Sequence, residues 1–177
     1  MDDPATQRFS PNALRWLTQL HQGDVVRASW PDVAIASIDP ADIAAVAATV
    51  LTEPGHAHTA PTLSGPRPLT PGQQVTTLAR ILRRPLRYGP LSDDEARAQM
   101  QAGTPAPFID AFFRFFTDGE FAESAVVDSV HEITGHEPRT FEQWAREHAD
   151  AFTGDRVSPD AVDRHPGDIA RRHGLDA

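Results

Sequence analysis

The stretch Ile38-Asp39-Pro40-Ala41-Asp42-Ile43-Ala44-Ala45-Val46-Ala47-Ala48-Thr49-Val50-Leu51 decides how the rest of the chain is read. Asp39 sits where a helix N-cap belongs, and Pro40, which has no amide donor, suits the first helical position. Asp42 adds negative charge to the first turn, where the helix dipole favours it. Ile43, Val46, Ala47, Val50 and Leu51 recur at helical spacing and predict one apolar stripe. Immediately upstream, Val33, Ile35 and Ser37 alternate with Ala34, Ala36 and Ile38, the pattern of a strand feeding that helix. A strand running into a capped helix implies an α/β arrangement.

On the N-terminal side, Ser10-Pro11 opens a helix with Ala13, Leu14, Trp16, Leu17 and Leu20 on its apolar side and Gly23 as its stop. Val25-Val26-Arg27-Ala28 is a short strand, and Trp30-Pro31-Asp32 turns the chain. On the C-terminal side, His58–Leu63 is a strand candidate that Pro61 confines to an edge. Thr70-Pro71-Gly72-Gln73 is a capping box for a helix with Val75, Leu78, Ile81 and Leu82 on one face. Pro85 ends it, and Leu86-Arg87-Tyr88 reads as a strand. Ser92-Asp93-Asp94-Glu95 is a second capping box, followed by an aromatic helix from Phe108 to Phe116. A helix is expected over Ala125–Thr134. A third capping box, Thr140-Phe141-Glu142-Gln143, puts Phe141, Trp144, Ala145, His148 and Phe152 on one stripe. The organisation expected is a leader over 1–9, one domain over 10–152, and a polar, weakly ordered or docked tail over 153–177.

Composition narrows the chemistry. The chain has 177 residues, 40% hydrophobic and 23% charged, enough to bury one core. No run reaches the roughly 18 apolar residues of a membrane span. The acidic start, Met1-Asp2-Asp3-Pro4, lacks the basic and apolar regions of a signal peptide, so a cytoplasmic location is the expectation. A net charge of −9 opposes nonspecific binding to nucleic acid, which depends on neutralising phosphates. The absence of cysteine excludes disulfides, thiolate nucleophiles and zinc–thiolate sites. All 16 basic residues are arginine, which excludes a Schiff-base lysine, a phosphate-loop lysine and a tyrosine–lysine proton relay within the chain.

Several motifs in order carry a family resemblance. Ile38-Asp39-Pro40-Ala41-Asp42-Ile43-Ala44, Leu63-Ser64-Gly65-Pro66 with Leu69-Thr70, and Leu82-Arg83-Arg84-Pro85-Leu86 resemble the later part of the NmrA-like proteins. Val130-His131-Glu132-Ile133-Thr134-Gly135 followed by Pro138-Arg139-Thr140-Phe141 resembles the C-terminal end of that family. These are atypical short-chain dehydrogenase/reductases that bind NAD(P). Ser10-Pro11-Asn12-Ala13-Leu14 is similar to the segment where the family's substrate region begins, with Asn12 at a position commonly held by asparagine. Pro61 departs from the pattern, because an aromatic residue usually precedes the family's Ser/Thr-Gly-Pro turn. The resemblance spans about residues 8 to 152 and implies an α/β (α+β) fold derived from a Rossmann parent, with several helices on a small sheet.

None of the 11 glycines forms the G-x-G-x-x-G phosphate loop with which such proteins cradle the dinucleotide. The expectation is therefore a C-terminal, substrate-region half without its own cofactor or metal. Losing the large sheet would expose apolar surface such as the Ile43–Leu51 stripe, to be covered by self-association or by a partner protein. The resemblance implies an apolar ligand pocket. Candidate ligand contacts are Asn12, Trp16, Trp30, Phe112, Phe113, Phe116 and Arg114. Candidate proton-handling groups are Asp110, Tyr88 and His58, with Asp110 and Arg114 spaced i, i+4 as a pair. His131-Glu132 with His136 misses the H-E-x-x-H zinc spacing, and His56-Ala57-His58 has no evident third ligand.

Three functions follow as expectations. The first is a cofactor-independent cyclase, isomerase or dehydratase acting on an apolar small molecule of secondary metabolism, with positioning supplying much of the rate. The second is a non-catalytic binding or regulatory protein. The third is a subunit that completes a separate NAD(P)-binding half.

Overall fold

The computed structural model describes residues 9–56, 59–101, 103–117 and 124–153. A 3-10 helix over Ser10–Trp16 runs directly into α1, Leu17–Gln22, and together they bury Ser10, Ala13, Trp16 and Leu20. The chain then forms β1, Val25–Ala28. The organising stretch is α2, Pro40–Thr52, with the Asp39 carboxylate accepting from the Ala41 amide at 2.9 Å. Next come α3, Pro71–Leu82, then β2, Arg87–Pro90, then α4, Asp93–Gln101, and the aromatic helix α5, Ala106–Phe116. The described part closes with α6, Ser129–Thr134, α7, Phe141–Glu147, and α8, Ala149–Thr153.

All three capping boxes form. At α3, Thr70 and Gln73 bond reciprocally, as do Thr140 and Gln143 at α7. At α4, Glu95 accepts from the Ser92 amide at 2.9 Å while Ser92 Oγ accepts from the Glu95 amide at 3.3 Å. Each satisfies amide donors that the first helical turn cannot satisfy internally.

The sheet is a parallel pair, β1 beside β2, with Val25 opposite Arg87 and Ala28 opposite Pro90. Its main core gathers Trp16, Leu20, Val26, Val75, Leu78, Leu86, Phe141, Trp144 and Phe152. A second cluster joins Ile38 and Val46 to Val130, with Ile43, Val50 and Ile133 packed on it. Arg84 ties the main layer together. Its guanidinium donates to Asp24 Oδ1 at 2.7 Å and to the Leu20 and Gly23 carbonyls at 3.0 and 3.1 Å, closing the end of α1.

The α/β fold stands, but several elements differ from expectation. Val33–Ile38 is not a strand of the sheet. Ile35 forms an isolated antiparallel bridge to Leu69, Ile38 a parallel bridge to Phe9, and the Ala36 carbonyl accepts from Gly65. Single residues of one segment thus bond to three different neighbours, so no ladder builds. Residues 59–63 form no strand either, and positions 57 and 58 lie outside the described residues. The helix expected over Ala125–Thr134 covers only Ser129–Thr134, because the Val127 amide is bonded to Ser64 Oγ at 2.9 Å.

The α2 stripe is narrower than its periodicity suggests. Val46 is buried and Ile43 and Val50 are half-buried, whereas Ala47 faces outward and Leu51 is 84% exposed. The outer face, Ala44, Ala45, Ala47, Ala48 and Leu51, carries no charge. In α5 the buried face is Ile109, Phe112, Phe113 and Phe116, and Phe108 is exposed. The tail and most of the leader, 154–177 and 1–8, lie outside the described residues. No helix among the described residues is long and apolar enough to cross a membrane.

Candidate functional site

In open parallel α/β sheets, ligands bind beyond the carboxyl ends of the strands. At that end of β1 and β2 the structure has a cleft of about 270 Å³. Ala28, Ser29 and Trp30 enter it from the end of β1, and Leu91 from the end of β2. Arg15, Trp16 and Gln19 come from the 3-10 helix and α1, and Ala96, Gln99 and Met100 from one face of α4. These three groups converge because β1 and β2 are held in register and α4 is capped two residues beyond β2.

Trp30 is the unusual residue here. Its φ of 54° is in the left-handed region, costly for a bulky side chain. Its ring packs on Phe116, Phe113 and Phe112 at centroid distances of 4.4, 5.7 and 6.5 Å, while its Nε1 is buried without a hydrogen-bond partner. The aromatic contacts hold the strained turn in place.

The charged groups are set by short pairs. Arg27 Nη2 lies 2.8 Å from Glu95 Oε1. That guanidinium, helped by hydrogen bonds from the Ser92 amide and hydroxyl, lowers the Glu95 carboxyl to about 2. The Arg15 guanidinium lies 5.7 Å from the Trp16 ring centroid. On the other side of α4, a more open cleft of about 540 Å³ is lined by Asp93, Arg97, Pro107, Asp110, Phe113, Arg114 and Thr117.

The residues singled out from sequence divide between these places. Trp16 and Trp30 line the first cleft, and Phe112, Phe113 and Phe116 buttress Trp30 from behind. Asp110 and Arg114 line the second cleft, but Asp110 bonds Arg97 at 2.9 Å rather than its own helix neighbour. Arg97 also stacks 3.9 Å from the Phe113 ring centroid, which fixes it against α5. Tyr88 donates its hydroxyl proton to the Ala28 carbonyl at 2.9 Å, fastening β2 to the end of β1. Burial, and then Asp32, push its phenol up. Asn12 is half-buried on the 3-10 helix, and His58 lies outside the described residues. Sequence reading missed Arg15, Arg27, Ser29, Leu91, Gln99 and Met100, which are spread over three elements and share no motif.

Neither strand-to-helix turn fits the pyrophosphate of a dinucleotide. The turn after β1, Ser29-Trp30-Pro31-Asp32, has no glycine to let the backbone approach. The turn after β2 leads into a helix whose first turn carries Asp93, Asp94 and Glu95, which would repel phosphate. No group of three His, Asp or Glu among the described residues is placed to hold a metal ion.

No family model matches the chain. It is 40% identical over 145 residues to a (4-alkanoyl-5-oxo-2,5-dihydrofuran-3-yl)methyl phosphate reductase from Streptomyces griseus, an alignment covering 81% of this chain and 51% of that protein. It is 35% identical over 120 residues to an NAD(P)H azoreductase from Xenophilus azovorans, covering 67% and 42%. The chain thus spans about half the length of the curated relatives it matches. Among solved structures, a Citrobacter triphenylmethane reductase complexed with NADP(H) superposes with a TM-score of 0.63 at 20% identity, covering 78% of this chain and 50% of that one. An NADPH-dependent quinone oxidoreductase from Escherichia coli superposes with a TM-score of 0.62 at 25% identity, covering 80% and 52%. The curated relatives overturn the expectation of a cofactor-independent cyclase, isomerase or dehydratase, because both are reductases and one is named for NAD(P)H. In sequence and in fold the chain is similar to about half of such a reductase, in line with the resemblance to the NmrA-like proteins that its motifs carry.

Proposed function

We propose that the chain supplies the substrate-holding half of an NAD(P)H-dependent reductase site, the dinucleotide being carried by a separate nucleotide-binding half. The observation that carries this reading is the 40% identity over 145 residues to the furanone phosphate reductase. The cleft at the carboxyl ends of β1 and β2 supports it, as does the poor fit of both strand-to-helix turns to a pyrophosphate. In this division of labour the bound nucleotide supplies hydride. The residues of this chain bind the acceptor, orient it between Trp16 and Trp30, and exclude water through the aromatic wall behind Trp30. Tyr88 holds the end of β1 in place through the Ala28 carbonyl and so acts as a positioning residue. The uncharged outer face of α2 is the surface we assign to contact with the nucleotide-binding half. The acceptor we assign is small, with an apolar arm, like the alkanoyl-bearing compound for which the Streptomyces relative is named.

The test has two arms. Calorimetric titration of the chain alone with NADPH and NADH is expected to show no binding. Mixing the chain with the separately expressed nucleotide-binding half of the Streptomyces relative is expected to restore NADPH oxidation by an alkanoyl-butenolide phosphate. Tight NADPH binding by the chain alone overturns the division of labour, and a mixture without NADPH oxidation overturns the reductase reading.

A further inference from the structure

The aromatic helix α5 is buried on one side only, and its outer side complements itself. Ile109, Phe112, Phe113 and Phe116 point inward, toward α4 and Trp30. Phe108, Ala111 and Arg114 recur at every third residue along the outer side. Phe108 is 47% exposed and Arg114 is exposed, while Ala111 between them is half-buried and small. Asp110, the one acid of this helix, is engaged by Arg97. Arg114 has no hydrogen-bond or ion-pair partner among the described residues, and Phe108 makes no ring or cation contact there. The inner side shows the chemistry open to both: Arg97 of α4 stacks over the Phe113 ring, 3.9 Å from its centroid.

Two complementary residues spaced equally about a third make a helix self-complementary in an antiparallel pair. With Ala111 of two copies at the crossing, each Phe108 stands level with the other copy's Arg114. A small residue at the crossing lets the axes approach to about 8 Å, a gap that an arginine side chain spans. Net charge favours this face as well. At −9 the chain repels a second copy of itself, whereas α5 sums to zero, with one aspartate and one arginine. We propose that α5 is a two-fold interface with a second copy of this chain, each Arg114 lying over the other copy's Phe108 and the two Ala111 residues meeting at the axis. The outer face of α2 stays open to the nucleotide-binding half. With 11 residues α5 is about 16 Å long, and a pair of such helices buries less than the roughly 1,200 Å² of a stable complex. The dimer is therefore a weak one.

The experiment is sedimentation equilibrium of the whole chain from about 10 µM to about 1 mM, joined to disulfide trapping. The parent is expected to dimerise with a Kd on the order of 100 µM. Phe108→Arg sets two guanidinium groups against each other and is expected to weaken the dimer at least tenfold. Its circular dichroism should be unchanged, because the position is exposed. Phe108→Arg combined with Arg114→Phe exchanges the members of the pair and is expected to restore the dimer. The chain has no cysteine, so one introduced at the crossing reports that contact alone. Oxidised Ala111→Cys is expected to link two chains, and Leu51→Cys, on the outer face of α2, is not. A parent that stays monomeric at about 1 mM, a dimer indifferent to Phe108→Arg, or an exchange that fails to restore it would each overturn the proposal. So would linkage at Leu51→Cys in place of Ala111→Cys. If the separately expressed nucleotide-binding half prevents the Ala111→Cys link, the face belongs to that partner and the proposal is likewise overturned. None of these readouts depends on nucleotide or turnover, so the interface and the reductase reading stand or fall separately.

Discussion

The side-chain amide of Gln19 occupies the free edge of β1 at Arg27. Gln19 Oε1 accepts from the Arg27 amide at 2.7 Å, and Nε2 donates to the Arg27 carbonyl at 3.1 Å. One side chain from α1 thus does the work of a neighbouring strand, closing an edge that would otherwise invite pairing with another chain. It also fixes the backbone of the residue whose guanidinium reaches the cleft. Gln19→Ala should cost about 1–2 kcal/mol, because two hydrogen bonds are lost while water reaches the freed groups. The urea midpoint reads the loss, and light scattering should detect more self-association at equal folded fraction.

Gly65 approaches the backbone before α2 more closely than any side chain allows. Its amide donates to the Ala36 carbonyl at 3.0 Å, and a Cβ placed there would fall 2.0 Å from the Ser37 carbonyl oxygen. The neighbour is backbone, held in turn by the Ile35–Leu69 and Phe9–Ile38 bridges, so it cannot yield cheaply. Gly65→Ala should destabilise by about 4 kcal/mol or more, at the severe end for single substitutions. A urea midpoint within the error of the parent would refute this account of the Ser64-Gly65-Pro66 turn.

Arg83 closes α3 with a φ of 51° in the left-handed region, where a side chain costs energy and glycine does not. It is exposed, unlike its neighbour Arg84 with its bonds to Asp24, Leu20 and Gly23. Arg83→Gly should stabilise by about 0.5–1 kcal/mol, with a gain of a few degrees in thermal midpoint. Arg84→Ala should do the reverse by about 2 kcal/mol, since it removes charge-assisted bonds.

Two carboxylates should give opposite pH signatures. Glu95 is held at about 2 by Arg27 and Ser92, below its ordinary 4.5, so the unfolded chain takes up the proton first as pH falls. Its contribution is complete above about pH 4.5 and is lost as the pH approaches 2. Asp42 is raised above its ordinary 3.8, by burial first and against the opposing hydrogen bond from the Arg139 amide at 2.8 Å. Here the unfolded chain loses the proton first, so this group reduces stability as pH rises through that window and above it. Glu95→Gln should flatten the acid limb of the urea midpoint against pH. Asp42→Asn keeps an oxygen for the Arg139 amide, so it should equal the parent below pH 3.8 and exceed it at pH 7.

The sequence alone determined the parts whose physics is local. The caps at Asp39, Thr70, Ser92 and Thr140 are decided within four residues, because a side chain bonds an amide of its own first turn, and all four formed where the residue types require. The strands at Val25 and Arg87 and the aromatic helix were legible from composition and spacing, and the similarity to half of a reductase from motifs in order. Tertiary structure decided everything that depends on a neighbour distant in the chain. Val33–Ile38 alternates like a strand but meets Phe9, Gly65 and Leu69 one residue at a time. Asp110 has Arg114 one turn away yet pairs with Arg97, because α4 and α5 bring that guanidinium over Phe113. The cleft is the extreme case. Arg15, Arg27 and Gln99 meet only once β1 and β2 pair in parallel and α4 is capped beyond β2, and no spacing along a chain encodes that meeting. Local hydrogen bonding writes secondary structure into sequence, whereas the positions of charges in a site are set by packing between elements.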